Sequence, residues 1–210
     1  VSLVVLHHDP FLAVINKPAG LLSCPGRDPA DRDSVQARVP LVFPCATGPF
    51  LVHRLDQPTS GVMVVALDPG THRSLSLQFQ ERRTEKAYVA VLVGDVAGTE
   101  GTIRLRFRLD VENRPHQIHD PAQGKMGVTH WRVVGRSPGR TRVELHPETG
   151  RTHQLRVHAA HPLGLGCPVA GDQLYGDPST ADRLLLHAWQ LAFDHPETGE
   201  RLSFQAPVPF

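Results

Sequence analysis

The sequence predicts an α+β fold, rich in strands and loops and with only a few short helices. Nineteen prolines and 18 glycines among 210 residues are too many for a helix bundle, because each tends to end a helix or mark a turn. Short apolar runs of strand length, some alternating with polar residues, recur along the chain. An apolar share of 40% is ordinary for a globular protein, and the length suits one folded unit with a single core or two lobes.

Val1–Leu6 and Phe11–Asn16 read as strands joined by the turn-rich His7-His8-Asp9-Pro10, and the second runs into Lys17-Pro18-Ala19-Gly20. The stretch 26–33 is polar and loop-like. Asp33 is placed to cap a short helix through Val39, and Pro40–Pro49 is irregular. Gly61–Leu67 is mostly apolar and predicts a buried strand. Asp68-Pro69 then begins a helix whose His72, Leu75, Phe79 and Arg82 share one face. Thr84–Val93 is a valine-rich strand. Ile103–Leu109 alternates apolar residues with Arg104, Arg106 and Arg108, the period of a half-exposed strand with a row of arginines on one face. Val128–Val134 and Thr141–Leu145 form an antiparallel pair around Ser137-Pro138-Gly139, and a short helix follows Glu148-Thr149-Gly150. Ser179 with Asp182 has the pattern of a capping box, and Leu184–Phe193 followed by Asp194–Gly199 predicts a closing hairpin.

Cys24, Cys45 and Cys167 are odd in number and far apart, which points away from a disulfide framework or a paired zinc site and towards the cytoplasm. No apolar run reaches membrane-spanning length. The net charge of +1 hides an uneven distribution. Residues 101–158 hold eleven Lys/Arg against five Asp/Glu, an excess of six, which by itself reads more readily as a solvated strand face and adds only weak support for a nucleic-acid partner. Two tyrosines and two tryptophans are few for a protein that stacks many bases of a single strand.

Asp56 stands in His53-Arg54-Leu55-Asp56-Gln57-Pro58-Thr59-Ser60-Gly61, a polar and backbone-restricting stretch between apolar runs. Taken alone, it reads more readily as a turn-forming or capping aspartate than as a catalytic one. The cluster Gly150–His158 carries Arg151, His153 and Arg156, cations able to keep a buried carboxylate ionised. A metal site at His153, His158 and His161 is weak, because the spacing fits neither a His-Glu-x-x-His motif nor a finger. A hydrolase built on Ser60, His153 and Asp172 lacks a Gly-x-Ser-x-Gly elbow. Tyr88 sits in a strand, where core packing is the ordinary role.

Taken together, Val14–Gly20, His53–Asp56 with Thr59-Ser60-Gly61, Lys86-Ala87-Tyr88-Val89-Ala90, Thr149–His158, Gly171–Gly176 and Leu184–Ala188 occur in an order that resembles the RluA family of RNA pseudouridine synthases. Gly20–Gly26 and Asp110–Pro115, with Gly124-Lys125, look most like its dual-substrate branch. The resemblance implies a mixed, largely antiparallel sheet with flanking helices, bilobed around a catalytic cleft. It further implies one catalytic domain over 1–210 without an S4 domain, acting as a monomer on structured RNA, 23S rRNA and/or a tRNA anticodon stem-loop, with no cofactor, metal or membrane.

By the same resemblance, Asp56 is the catalytic aspartate, Arg156 its ion-pair partner and Tyr88 the residue beside the uracil. Leu155 is an apolar wall, Arg54 enters the RNA stack as the uridine flips out, and Arg151 and His153 contact RNA. A catalytically silent RNA-binding or ribosome-assembly protein on the same scaffold is the alternative. One departure from the family pattern is the long stretch between His158 and Gly171, with Cys167 where a histidine is usual.

Overall fold

The computed structural model describes residues 2–26, 28 and 30–210. Val1, the first residue of the first expected strand, and two positions of the 26–33 loop lie outside them. Along the described chain run strands β1 (Val4–His8) and β2 (Leu12–Lys17), helix α1 (Val35–Val42), β3 (Ser60–Ala66), α2 (Pro69–Gln80), β4 (Glu85–Val93), β5 (Glu100–Leu109) and β6 (Gln117–His119). They continue with β7 (Lys125–Ser137), β8 (Arg140–Pro147), α3 (Gln154–Ala160), a 3-10 turn at Pro178–Thr180, β9 (Leu186–Asp194) and β10 (Arg201–Gln205). The class is α+β, as the sequence predicts. The chain divides into two compact units. The first runs to Lys86 and takes in His187–Pro209, and the second holds Ala87–Leu186 with Phe210.

In the first unit β1 and β2 form the expected hairpin, but the turn sits later than His7 and His8, which belong to β1. Asp9 makes that turn by accepting from the amides of Phe11 and Leu12 at 2.7 and 2.9 Å. β2 pairs antiparallel with β3, β3 touches β9 in parallel at Ser60–His187 and Gly61–Ala188, and β9 pairs antiparallel with β10. Every residue of β3 is buried, which explains its unbroken apolar run. Its Val62 and Val64 pack with Leu12, Val14, Leu191, Phe193 and Leu75 of α2. Asp68 caps α2 through the amides of Gly70 and Thr71, as its Asp-Pro start predicts. Arg82, expected on the α2 face, lies past the helix end in the left-handed region.

Two expected caps are wrong. Ser34, not Asp33, caps α1, accepting from the Ala37 amide at 3.2 Å, while Asp33 pairs with Arg38 at 2.6 Å. The helix also runs through Pro40 to Val42, beyond the expected end, with Pro40 giving up one backbone hydrogen bond in its second turn. In place of a helix capped by Ser179 and Asp182 there is one 3-10 turn, capped by Asp177 through the Ser179 amide at 2.8 Å.

The second unit is an antiparallel sheet in the order β4-β8-β7-β5-β6. Ile103, Leu105 and Phe107 of β5 are buried against Val157 of α3, while Ala90, Leu92, Val143 and Leu145 pack with Leu155 and Ala159 of the same helix. Each buried Val, Leu, Ile or Phe side chain among them contributes about 1.5–3 kcal/mol. Period-two alternation therefore turns Arg104 and Arg106 to the face opposite α3, and both are exposed. The rest of the basic middle is largely engaged in structure. Arg132 holds Glu144 at 2.6 Å, and Arg136, Arg140 and Arg142 donate to backbone carbonyls. The long stretch after His158 folds back on α3 through Cys167 N–H to Ala159 O at 2.9 Å, with the Cys167 thiol buried among Leu92, Val169 and Leu155.

Candidate active site

Asp56 is half-buried, and its carbonyl closes a turn by accepting from the Thr59 amide at 3.1 Å. Its backbone is fastened on both sides. On the amino side, Ser23 Oγ accepts from Leu55 N at 3.1 Å and donates to Leu55 O at 2.6 Å. On the other, Gly20 N donates to Gln57 O at 2.9 Å and Gln57 Nε2 donates to Gly20 O at 3.2 Å.

Lys17 completes this clamp. Its side chain is fully buried, and Nζ donates to the carbonyls of Pro18, Leu21 and Gln57 at 2.9, 2.6 and 3.1 Å. An ammonium has three donors, and here they reach three backbone oxygens. The Lys17–Gly20 segment thus sets the path of the Asp56 turn.

The four residues of His53-Arg54-Leu55-Asp56 have four settings. His53 is a strut: Nε2 accepts from Val64 N in β3 at 3.1 Å, and the ring stacks on Phe79 of α2 at 4.5 Å. Burial, reinforced by the Lys86 charge, pushes its pKa down to about 3, so it stays a neutral acceptor. Arg54 is exposed, with Nη1 3.9 Å from Cys24 Sγ. Leu55 is buried and anchors the turn.

Thr59-Ser60-Gly61 closes the turn onto β9. A Cβ on Gly61, at φ +124°, would meet the Ala188 carbonyl oxygen at 2.1 Å, so only glycine allows the strands to meet. Ser60 Oγ lies 2.8 Å from His187 Nδ1, and His187 Nε2 lies 3.3 Å from Ala206 O. With Nε2 donating to that carbonyl, Nδ1 is the acceptor for the serine hydroxyl.

In the second unit, Tyr88 of β4 packs against the cluster that contains Leu155. The start of α3 is fixed by Gln154, whose Nε2 donates to Val128 O and Thr129 Oγ1, both at 3.0 Å. Its Oε1 accepts from Thr149 Oγ1 at 2.7 Å and Arg151 N at 3.1 Å. His153 precedes α3 with φ 56°, and Arg151 is exposed. Arg156 is 3% exposed and meets the fully buried Asp172 through Nε at 2.8 Å and Nη2 at 2.5 Å. Burial alone would raise the Asp172 carboxyl. The Arg156 guanidinium and the Leu174 and Tyr175 amides outweigh it and hold the carboxyl below its usual range.

In the first unit Ser60 meets His187; in the second, His153 Nδ1 meets the Tyr175 hydroxyl at 2.8 Å and Asp172 meets Arg156. His158 is buried against Thr129 at 3.0 Å, while His161 accepts from Leu163 N and its ring lies 5.0 Å from that of His119. Among the described residues, no group of three or more His, Cys, Asp or Glu is placed to hold a metal ion.

The chain as a whole resembles known proteins. Residues 12–161 match the family model described as RNA pseudouridylate synthase. The chain belongs to that family. It is 46% identical to the dual-specificity RNA pseudouridine synthase RluA of Yersinia pestis, over 99% of this chain and 100% of that protein. To the protein so named in Escherichia coli K12 it is 45% identical, over 99% and 94%. Among solved structures, human RNA pseudouridylate synthase domain containing 1 matches with a TM-score of 0.79 and 33% identity, over 100% of this chain and 84% of that one. The chain is thus an RluA-family RNA pseudouridine synthase, an isomerase acting on RNA.

Sequence reasoning named Asp56, Tyr88 and Arg156 but missed the residues that hold the Asp56 turn and Arg156. Lys17, Ser23, Asp172, Tyr175 and His187 all lie within the quoted motifs, but none was given a part there, and Asp172 was given one only in the rejected hydrolase. The available signal was chemical. A lysine at the end of a largely apolar strand, and an aspartate just after the apolar Val169-Ala170, each need a polar partner once buried.

Proposed function

We propose that this synthase isomerises uridines of 23S rRNA and of a tRNA anticodon stem-loop, with Asp56 as its catalytic carboxylate. The observation that carries the reading is the clamp of Lys17, Ser23 and Gly20 on both neighbours of Asp56, which pre-orients a half-buried acid. The near-full-length similarity to relatives named dual-specificity supports the two RNA classes.

Pseudouridine formation breaks the N1–C1′ bond, turns the uracil, joins C5 to C1′ and transfers the C5 proton to solvent while N1 gains one. Substrate and product contain the same atoms, so the chemistry calls for no oxidant or reductant. Asp56 serves this sequence either by attacking C1′ or by taking a sugar proton to give a glycal. Arg156 is its counter-ion, Tyr88 lies beside the ring, Leu155 walls the uracil, and Arg151 and His153 bind RNA. Arg54, exposed and adjoining the Asp56 turn, fills the stack when the base flips out. The protein acts as one catalytic domain and as a monomer in the cytoplasm, where its three free thiols are at home.

Pseudouridine mapping of 23S rRNA and tRNA from cells with and without the gene tests this reading. We expect marks missing from both RNAs in the deletion strain. Loss from one alone contradicts dual specificity, and an unchanged map contradicts the function.

A further inference from the structure

Arg156 is fixed from two directions within the second unit. Asp172 grips it in the guanidinium plane, and the Tyr175 ring lies beneath, its centroid 5.3 Å from Cζ. The two grips are one device, because Asp172 Oδ1 also accepts from the amides of Leu174 and Tyr175 at 2.9 and 3.1 Å. The carboxylate that holds the arginine thus folds the turn that delivers the ring.

The Tyr175 hydroxyl reaches further. It accepts from Gln117 N at 2.8 Å, and it lies within hydrogen-bond distance of His153 Nδ1 at 2.8 Å. Gln117 is the first residue of β6, directly after the β5–β6 loop of residues 110–116. His116 of that loop meets the Tyr175 ring edge-on at 5.8 Å, and Val111 at the tip is 62% exposed. His153 is the residue from which α3 starts. One side chain therefore connects a projecting loop, the start of α3 and the face of Arg156.

We propose that Asp172 and Tyr175 are positioning residues for Arg156, and that the Tyr175 hydroxyl couples the 110–116 loop to its guanidinium when RNA seats on that loop. The proposal rests on the part assigned above to Arg156. Removing only the hydroxyl leaves the ring, the ion pair and the turn in place, so the loss falls on the chemical step rather than on folding. Small misplacements of a positioned group are enough to slow a reaction substantially.

The test uses the full-length protein and an RNA transcript carrying a mapped target uridine. Single-turnover pseudouridine formation at saturating enzyme, RNA affinity by filter binding and thermal melting are measured for Tyr175→Phe. We expect a single-turnover rate lower by about tenfold, affinity within about twofold and a melting temperature within about 2 °C of the parent. The double variant Tyr175→Phe/His153→Ala is expected to be no slower than the slower single variant, because both remove the same link. A parental rate in Tyr175→Phe, or a rate loss matched by its loss of folded protein, overturns the coupling. Arg156→Lys, read per folded molecule, separates the two failures. A slow Arg156→Lys beside a parental Tyr175→Phe sinks the coupling alone, whereas a parental rate in Arg156→Lys removes the role of Arg156 on which it rests.

Discussion

At the scale of single residues, the candidate site depends on groups whose partners lie far along the chain. Lys17 is the clearest case, because its ammonium binds the carbonyls of Pro18, Leu21 and Gln57 and so joins the end of β2 to the turn that presents Asp56. Replacing it by methionine leaves buried carbonyls without their donor. Lys17→Met is expected to lose about 2–4 kcal/mol of stability and most of the activity, measured by urea unfolding and pseudouridine formation. A parental unfolding midpoint contradicts the clamp. Asp56 was visible in the sequence as an acid in a crowded polar stretch, and motif order then singled it out. The clamp was not visible, because Lys17 and Gln57 are forty positions apart and nothing local in either stretch specifies their contact.

At the scale of elements, periodicity was a good guide wherever one face is buried. The alternation of β5, the unbroken apolar run of β3 and the Asp-Pro start of α2 all read correctly, since each pattern is the direct imprint of burial or capping. Capping failed where two candidate side chains were neighbours. Asp33 and Ser34 both suit a cap, and the choice was made by Arg38, which draws Asp33 away. Ser34→Ala is therefore expected to cost about 1 kcal/mol, and Asp33→Ala, which removes an exposed ion pair, less than about 0.5 kcal/mol. Equilibrium unfolding of both variants checks the order, and a larger loss for Asp33→Ala reverses the assignment. The parallel contact of β3 with β9 was also hidden, because it joins positions more than 120 residues apart through the close approach at Gly61.

At the scale of the whole chain, the charge count was true but partly misleading. Much of the basic middle is engaged in the second unit, and two of the three β5 arginines are exposed on the face away from α3. Burial also sets the pH response. His53 and His158 are pushed down to about 3 and about 4, both principally by burial, so each is neutral when folded and takes up a proton more readily when unfolded. Their contribution is complete above an unfolded pKa of about 6.5. It is lost as pH falls from there towards about 4 for His158 and about 3 for His53. On lowering the pH from 7 to 5, His158→Gln is expected to lose about 1–2 kcal/mol less stability than the parent. Equal losses in urea titrations at the two pH values contradict a neutral buried His158.

The central claim concerns Asp56, and the direct measurement is pseudouridine formation by Asp56→Asn on a target transcript under single-turnover conditions, with melting temperature and RNA affinity measured alongside. The account predicts a folded protein that binds RNA and forms no detectable pseudouridine. Product formed at the parental rate would show that the reaction does not depend on this carboxylate.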